Sequence, residues 1–197
     1  MTNNEAATGY VKQAYAKTKE KKMDLWAIID QIEFETGHMA QPRNLFLDFY
    51  ITPETPRYFQ GEPWLLQNVI HLLVEACLRS VKAGGVTVRI EAVGHDEFNR
   101  RQLDIAVTDT GPGIHPCRMT NILQSSADKA RPNGVCDFSA SLFFVKRLAR
   151  RLNGDIALHS VYGWGTRLVA TVFLAEAGCP SEVNNPRKFY SEFILTH

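Results

Sequence analysis

No CxxC pair occurs among the four cysteines, Cys77, Cys117, Cys136 and Cys179, and no Cys/His cluster has zinc-ligand spacing. Four free thiols in a reducing compartment are therefore expected, and no structural zinc site is expected. No apolar run is long enough to span a bilayer. Residues 1–22 are polar and lysine-rich and contain no signal-peptide core, so a cytoplasmic chain without membrane contact of its own is expected. An excess of one charge is missing too. Lys+Arg is 22 against Asp+Glu 21, a net charge of +1, which gives no support to a dedicated nucleic-acid binder. Internal repeats and low-complexity stretches are absent.

What is present is ordinary globular composition, 45% apolar and 22% charged over 197 residues, enough to bury a core without disulfides. Residues 9–22 predict a short helix carrying Lys12, Lys17, Lys19, Lys21 and Lys22. Residues 23–37 predict a second, with Leu25, Ile28, Ile29, Ile32 and Phe34 near the 3.6 period and Pro42 as its breaker. Leu45, Leu47, Phe49 and Ile51 alternate as a strand, and Pro53 and Pro56 mark a loop. Residues 63–82 give the clearest helix. Pro63 suits its first turn, Leu66, Val69, Ile70, Leu73, Ala76 and Cys77 share one face, and Gly84-Gly85 ends it. Strands follow around Val86–Ile90 and Leu103–Val107, then a polar loop over about 115–137. Phe138, Leu142, Val145, Ala149 and Leu152 mark a helix closed by Asn153-Gly154, and strands around 156–160 and 168–174 finish the domain. Short links between strands imply a mixed, mostly antiparallel sheet. Helices covering one face of it make a two-layer α/β (α+β) sandwich. Residues 176–197 form a tail whose Phe189, Tyr190, Phe193 and Ile194 are expected to pack back on the domain.

The most specific stretch is Val107-Thr108-Asp109-Thr110-Gly111-Pro112-Gly113-Ile114. An apolar strand ends in Asp, and a Gly-x-Gly-Ile turn follows. A second glycine box, Gly163-Trp164-Gly165-Thr166, precedes an alternating strand. With Asn153-Gly154-Asp155-Ile156 and Val145-Lys146-Arg147-Leu148, these segments resemble the ATP-binding domain of sensor histidine kinases, in the superfamily that includes gyrase, the heat-shock-90 chaperones and the MutL proteins. The resemblance covers roughly residues 24–175 and implies the Bergerat-type fold. It implies that Asp109 accepts a hydrogen bond from the adenine amino group, that Gly111, Gly113 and Ile114 lie along the nucleotide, and that Gly165 and Thr166 sit beside the base. ATP or ADP is the implied ligand.

The departures from that family are as informative. Its long helix carries two Asn four residues apart, the second a Mg²⁺ ligand; here the matching positions are His71 and Glu75. Glu75 offers a hard oxygen to magnesium but adds negative charge beside a triphosphate. The expected Lys is Leu78, with Arg79 adjacent. In a MutL-type register Glu75 would be the general base and Arg79 would hold the metal position, which an arginine cannot serve. The lid glycines nearest the next helix are Ser139 and Ser141, the lid Phe falls near Ser126, and Lys129 and Arg131 remain in the loop. The adenine end therefore matches the family, while the phosphate end does not and Mg²⁺ binding is in doubt.

His38-Met39-Ala40-Gln41-Pro42 does not supply the family's phosphoacceptor, because no helical hairpin fits around it. The expected organisation is an N-terminal helical extension (1–22), an ATP-binding domain (23–175) and a C-terminal tail (176–197). The expected function is a divergent histidine-kinase-type module that binds nucleotide weakly and acts through protein contacts. Its implied partners are the dimerisation or phosphoacceptor domain of a sensor kinase and a response regulator. Two alternatives are an active kinase domain with a metal site built on Glu75, and an anti-sigma-factor-type serine kinase.

Overall fold

The computed structural model describes residues 21–122, 138–178 and 188–189. Strand β1 (Lys21–Asp24) leads into helix α1 (Leu25–Ala40), a 3-10 turn (Gln41–Arg43), β2 (Phe46–Ile51), β3 (Tyr58–Gly61) and helix α2 (Pro63–Ser80). Then come β4 (Gly85–His95), β5 (Arg101–Asp109), α3 (Pro116–Ile122), α4 (Phe138–Arg151), β6 (Asp155–Val161), β7 (Gly165–Glu176) and β8 (Lys188–Phe189). The strands make one mixed sheet in the order β1-β3-β7-β5-β4-β2-β8, with β6 also paired to β7. β2 and β4 run parallel, and the other described pairings are antiparallel.

Alternation decides which face is covered. Val86, Val88 and Ile90 of β4, Leu103, Ile105 and Val107 of β5, and Leu168, Ala170 and Val172 of β7 are buried. They join Leu66, Val69, Ile70, Leu73 and Cys77 of α2 and Leu142, Val145 and Ala149 of α4 in a single core. Each such Leu, Ile or Val contributes roughly 1.5–3 kcal/mol on burial. The helices are therefore held by their apolar faces more than by helix propensity. The result is the expected two-layer α+β sandwich.

Local signals set the helix ends. Asp24 caps α1, its carboxylate accepting from the N–H groups of Trp26 (3.0 Å) and Ala27 (3.4 Å), and Arg57 pins it from the other side at 2.7 Å. Pro63 opens α2. At the far end the Arg43 guanidinium donates to the carbonyls of Leu78 (2.8 Å) and Val81, so a cation closes the negative end of the helix.

Four elements differ from expectation. Lys21 and Lys22 are strand residues, paired with Gly61 and Gln60, and not the end of a helix. Met23 is buried beside them, and the Lys22 ammonium lies 4.1 Å from the Tyr58 ring centroid. The loop expected after Pro56 contains β3, a four-residue strand whose only buried side chain is Phe59; its pairing to β1 and β7 makes it a strand. The polar stretch after 115 opens with α3, and the helix expected to reach 82 stops at Ser80. Lys188 and Phe189 of the tail pair with Tyr50 and Phe49 at the edge of β2; Tyr190, Phe193 and Ile194 lie outside the described residues, as do residues 1–20 of the expected N-terminal helix.

Candidate functional site

Asp109 is the last residue of β5, paired with Val86 of β4 on one side and Thr166 of β7 on the other. It is 3% exposed. Its Oδ1 accepts hydrogen bonds from Gly111 N–H (2.7 Å) and Thr166 N–H (3.2 Å). Its Oδ2 is buried without a hydrogen-bond partner among the described residues. From below, Cys77 and Ser80 of α2 approach the same carboxyl; their dipoles favour its charged form without completing a hydrogen bond to Oδ2. Burial pushes the Asp109 carboxyl above the usual carboxylate range, against the pull of the Gly111, Cys77, Thr166 and Ser80 donors. Burial also drives the Cys77 thiol well up, with the Asp109 charge adding to it, so Cys77 is an inert neighbour of the carboxyl.

The turn after Asp109 is laced to the β6–β7 hairpin. Gly163 N–H donates to Pro112 O at 2.8 Å and Ile114 N–H to Ser160 Oγ at 2.8 Å. Gly113 has φ +65, and a Cβ there would lie 2.2 Å from the Val161 carbonyl oxygen. Gly165 has φ +130, and its Cβ would lie 2.1 Å from the Asp109 carbonyl oxygen. At Gly111 a Cβ would crowd Asp109 Oδ1 at 2.8 Å. Gly113 and Gly165 thus have a reason within the fold, the crossing of the protein's own backbone, and Gly111 has one in the Asp109 carboxyl.

Three contributors were not singled out from sequence. Thr110 Oγ1 accepts from Gly85 N–H (3.0 Å) and donates toward Ala83 O (3.2 Å), tying the motif to the end of α2. Ser80 lies beneath the Asp109 carboxyl. Ser160 joins Ile114, Gly165 and Thr166. The signal for Ser160 is a polar residue at the third inward position of a strand whose first two are Ile156 and Leu158.

The other candidates on α2 lie on a separate face. His71, Glu75 and Arg79, spaced four apart, form a line of charges. Glu75 Oε1 accepts from Arg79 Nε at 3.1 Å, Glu75 Oε2 lies 4.0 Å from His71 Nε2, and Glu35 of α1 lies 3.2 Å from His71 Nδ1. That last pair is close but not aligned as a hydrogen bond, since Nδ1 is left without one. Ser139 and Ser141 sit in the first turn of α4, Ser139 half-buried and Ser141 buried. Ser126, Lys129 and Arg131 lie outside the described residues. His38 is in the last turn of α1, edge-on to Phe34 with ring centroids 5.1 Å apart. Among the described residues no three His, Cys, Asp or Glu side chains converge to hold a metal.

Residues 61–176 match the family model described as histidine kinase-, DNA gyrase B- and HSP90-like ATPase. Over 138 residues, 69% of its length, the chain is 23% identical to the signal transduction histidine-protein kinase BarA of Escherichia coli K12, covering 15% of that kinase. Over 145 residues, 73% of its length, it is 26% identical to the sensor protein CreC of the same organism, covering 28% of it. The chain thus spans between 15% and 28% of these relatives. Its fold is similar to that of full-length ShkA, solved in complex with AMPPNP, with a TM-score of 0.67 at 16% identity over 84% of this chain and 33% of that one.

Proposed function

The chain belongs to the histidine kinase-, DNA gyrase B- and HSP90-like ATPase family, and from that premise we propose that it is the ATP-binding module of a two-component sensor kinase whose base pocket is intact and whose phosphate end has diverged. The observation that carries this reading is the buried, unpartnered Oδ2 of Asp109. A buried carboxylate oxygen that completes no hydrogen bond among the described residues is costly, on the order of 1–3 kcal/mol. The exocyclic amine of adenine supplies the donor. Asp109 is held for that contact, since Gly111 and Thr166 engage its other oxygen.

The phosphate end fits Mg²⁺ poorly. Glu75, the residue at the family's metal position, is already paired with Arg79 through Oε1, so a metal ion would compete with a guanidinium for its charge. Phosphoryl transfer needs charge neutralised around the γ-phosphate, and a glutamate at this position adds negative charge there. We read the module as binding adenine nucleotide weakly. It meets its phosphoacceptor or dimerisation domain, and a response regulator, through protein contacts. Asp109, Gly111, Gly113, Ile114, Gly165 and Thr166 form the nucleotide side of this assignment; His71, Glu75, Arg79, Ser139 and Ser141 line the diverged side.

Titration of ADP and ATP, with and without Mg²⁺, tests the reading on the wild type, Asp109→Asn and Glu75→Ala. Weak binding that needs Asp109 and is indifferent to Mg²⁺ is expected. Micromolar binding of ATP·Mg²⁺ whose metal dependence vanishes in Glu75→Ala would establish the active-kinase alternative instead.

A further inference from the structure

We propose that residues 190–197 of this chain dock on α1, with the Phe193 side chain seated in a notch over Gly37.

The notch is built into α1. Gly37 is the only residue of that helix without a side chain, and a Cβ placed there would meet nothing within 4 Å. Asp30, Glu33, Phe34, His38 and Gln41 complete the walls of a cleft of about 360 Å³. Phe34 is 72% exposed, its ring edge-on to His38 with centroids 5.1 Å apart, so an apolar side chain laid beside it removes apolar surface of both from water. Burial, with the charges of Asp30 and Asp48, pushes the Glu33 carboxyl above the usual carboxylate range. An apolar occupant suits that wall and a further anion does not. The residue of α1 that meets His71 of α2 is Glu35, which is not among the walls of the cleft.

Strand β8 delivers the occupant. Phe189 pairs with Phe49 and Lys188 with Tyr50, antiparallel. Carried on in that direction, the chain runs along β2 toward Phe46 and the 3-10 turn that joins β2 to α1. In the same register, residues 191, 192 and 193 stand opposite Leu47, Phe46 and Leu45. Leu45 and Leu47 are buried in the core shared with Ile29 and Ile32 of α1, whereas Phe46 is 37% exposed. Strand alternation therefore assigns Phe193 to the side of α1 and Glu192 to the other side, clear of Asp30 and Glu33. A slip of one residue would turn Glu192 toward those carboxyls. Four extended residues past Phe189 span about 13 Å, against about 10 Å for the helical rise from Phe34 to Gln41, so the segment reaches the notch. Ile194 and Leu195 continue it with apolar residues.

The test is NMR on the full chain, with labelled and unlabelled protein mixed to separate contacts within a chain from contacts between chains. Nuclear Overhauser effects from the Phe193 ring to Gly37 and Phe34 of the same chain are expected, and Phe193→Asp should abolish them and shift the Gly37 and Phe34 resonances. Gly37→Trp fills the notch from the helix and should shift the Phe193 resonances; it serves if Phe193→Asp does not fold. Contacts seen only between chains would make the occupant a second copy and overturn the proposal. A wild-type chain without these contacts overturns it as well.

Discussion

Two faces of α2 meet different surroundings. Toward the sheet, Cys77 and Ser80 lie beneath Asp109, where the donors are engaged and one acceptor is not. Toward α1 and solvent, His71, Glu75 and Arg79 alternate in charge capacity and partner one another and Glu35. An open buried acceptor is something a ligand completes. A closed ion pair is something a ligand has to break. The proposed division into a base end and a diverged phosphate end rests on this difference, although both use the same helix.

The strongest way to break this contrast is to disturb the base end from behind. Gly113→Ala puts a Cβ 2.2 Å from the Val161 carbonyl in a positive-φ turn. It should cost about 3 kcal/mol in overpacking and strain. Thermal unfolding should show a drop of roughly 6–12 °C, and an unchanged Tm would mean that the turn is not held as described.

Asp109→Asn separates ligand binding from stability. Its Oδ1 can keep both backbone donors, while an NH₂ replaces the open acceptor. ADP affinity should fall by at least ~10-fold, about 1.4 kcal/mol, with no loss of Tm, because a buried carboxylate has been neutralised. A parallel fall in affinity and Tm would make Asp109 a structural residue only.

The pH dependence sharpens the same point with a smaller effect. The folded protein holds the Asp109 carboxyl above its unfolded value. Its contribution to stability is therefore complete below the ordinary carboxylate range, about pH 4, and is lost as pH rises through the raised folded value. Melting curves should show the Tm advantage of Asp109→Asn over wild type growing from pH 4 toward neutrality. A difference independent of pH would contradict the burial argument.

Arg79→Ala should change least. The pair it removes is partly exposed, its side chains 44% and 24% accessible, and exposed pairs contribute about 0–1 kcal/mol. Its use is at the other end of the comparison: it frees Glu75. If the ion pair is what excludes Mg²⁺, nucleotide titrations of this variant should acquire a metal dependence that wild type lacks.

Much of the framework was legible in the chain. Strands β4, β5 and β7 follow from strict alternation, and α2 from its apolar face, because these patterns depend only on which side of an element is buried. The short β1 and β3 were not legible. A four-residue strand with Phe59 as its only buried residue has no pattern of its own, and the partners that define it lie far along the chain. Within the site, Asp109, Gly111, Gly113, Gly165 and Thr166 announced themselves by motif. Thr110, Ser80 and Ser160 did not, since a lone Ser or Thr acquires a role only from what stands opposite. Cys77, counted from its spacing as one more core residue, also faces the Asp109 carboxyl.

The sequence by itself determined the layers of this protein and the location of its acidic and glycine-rich turn, because periodicity and residue type are local properties. Only the tertiary structure decided what those residues are for. The glycines at 113 and 165 admit the backbone of Val161 and Asp109, Ser160 meets the Thr166 hydroxyl across paired strands, and Glu75 faces a guanidinium. Each depends on the direction and distance of groups from other turns or strands, and hydrogen bonding and charge neutralisation act through space, not along the chain.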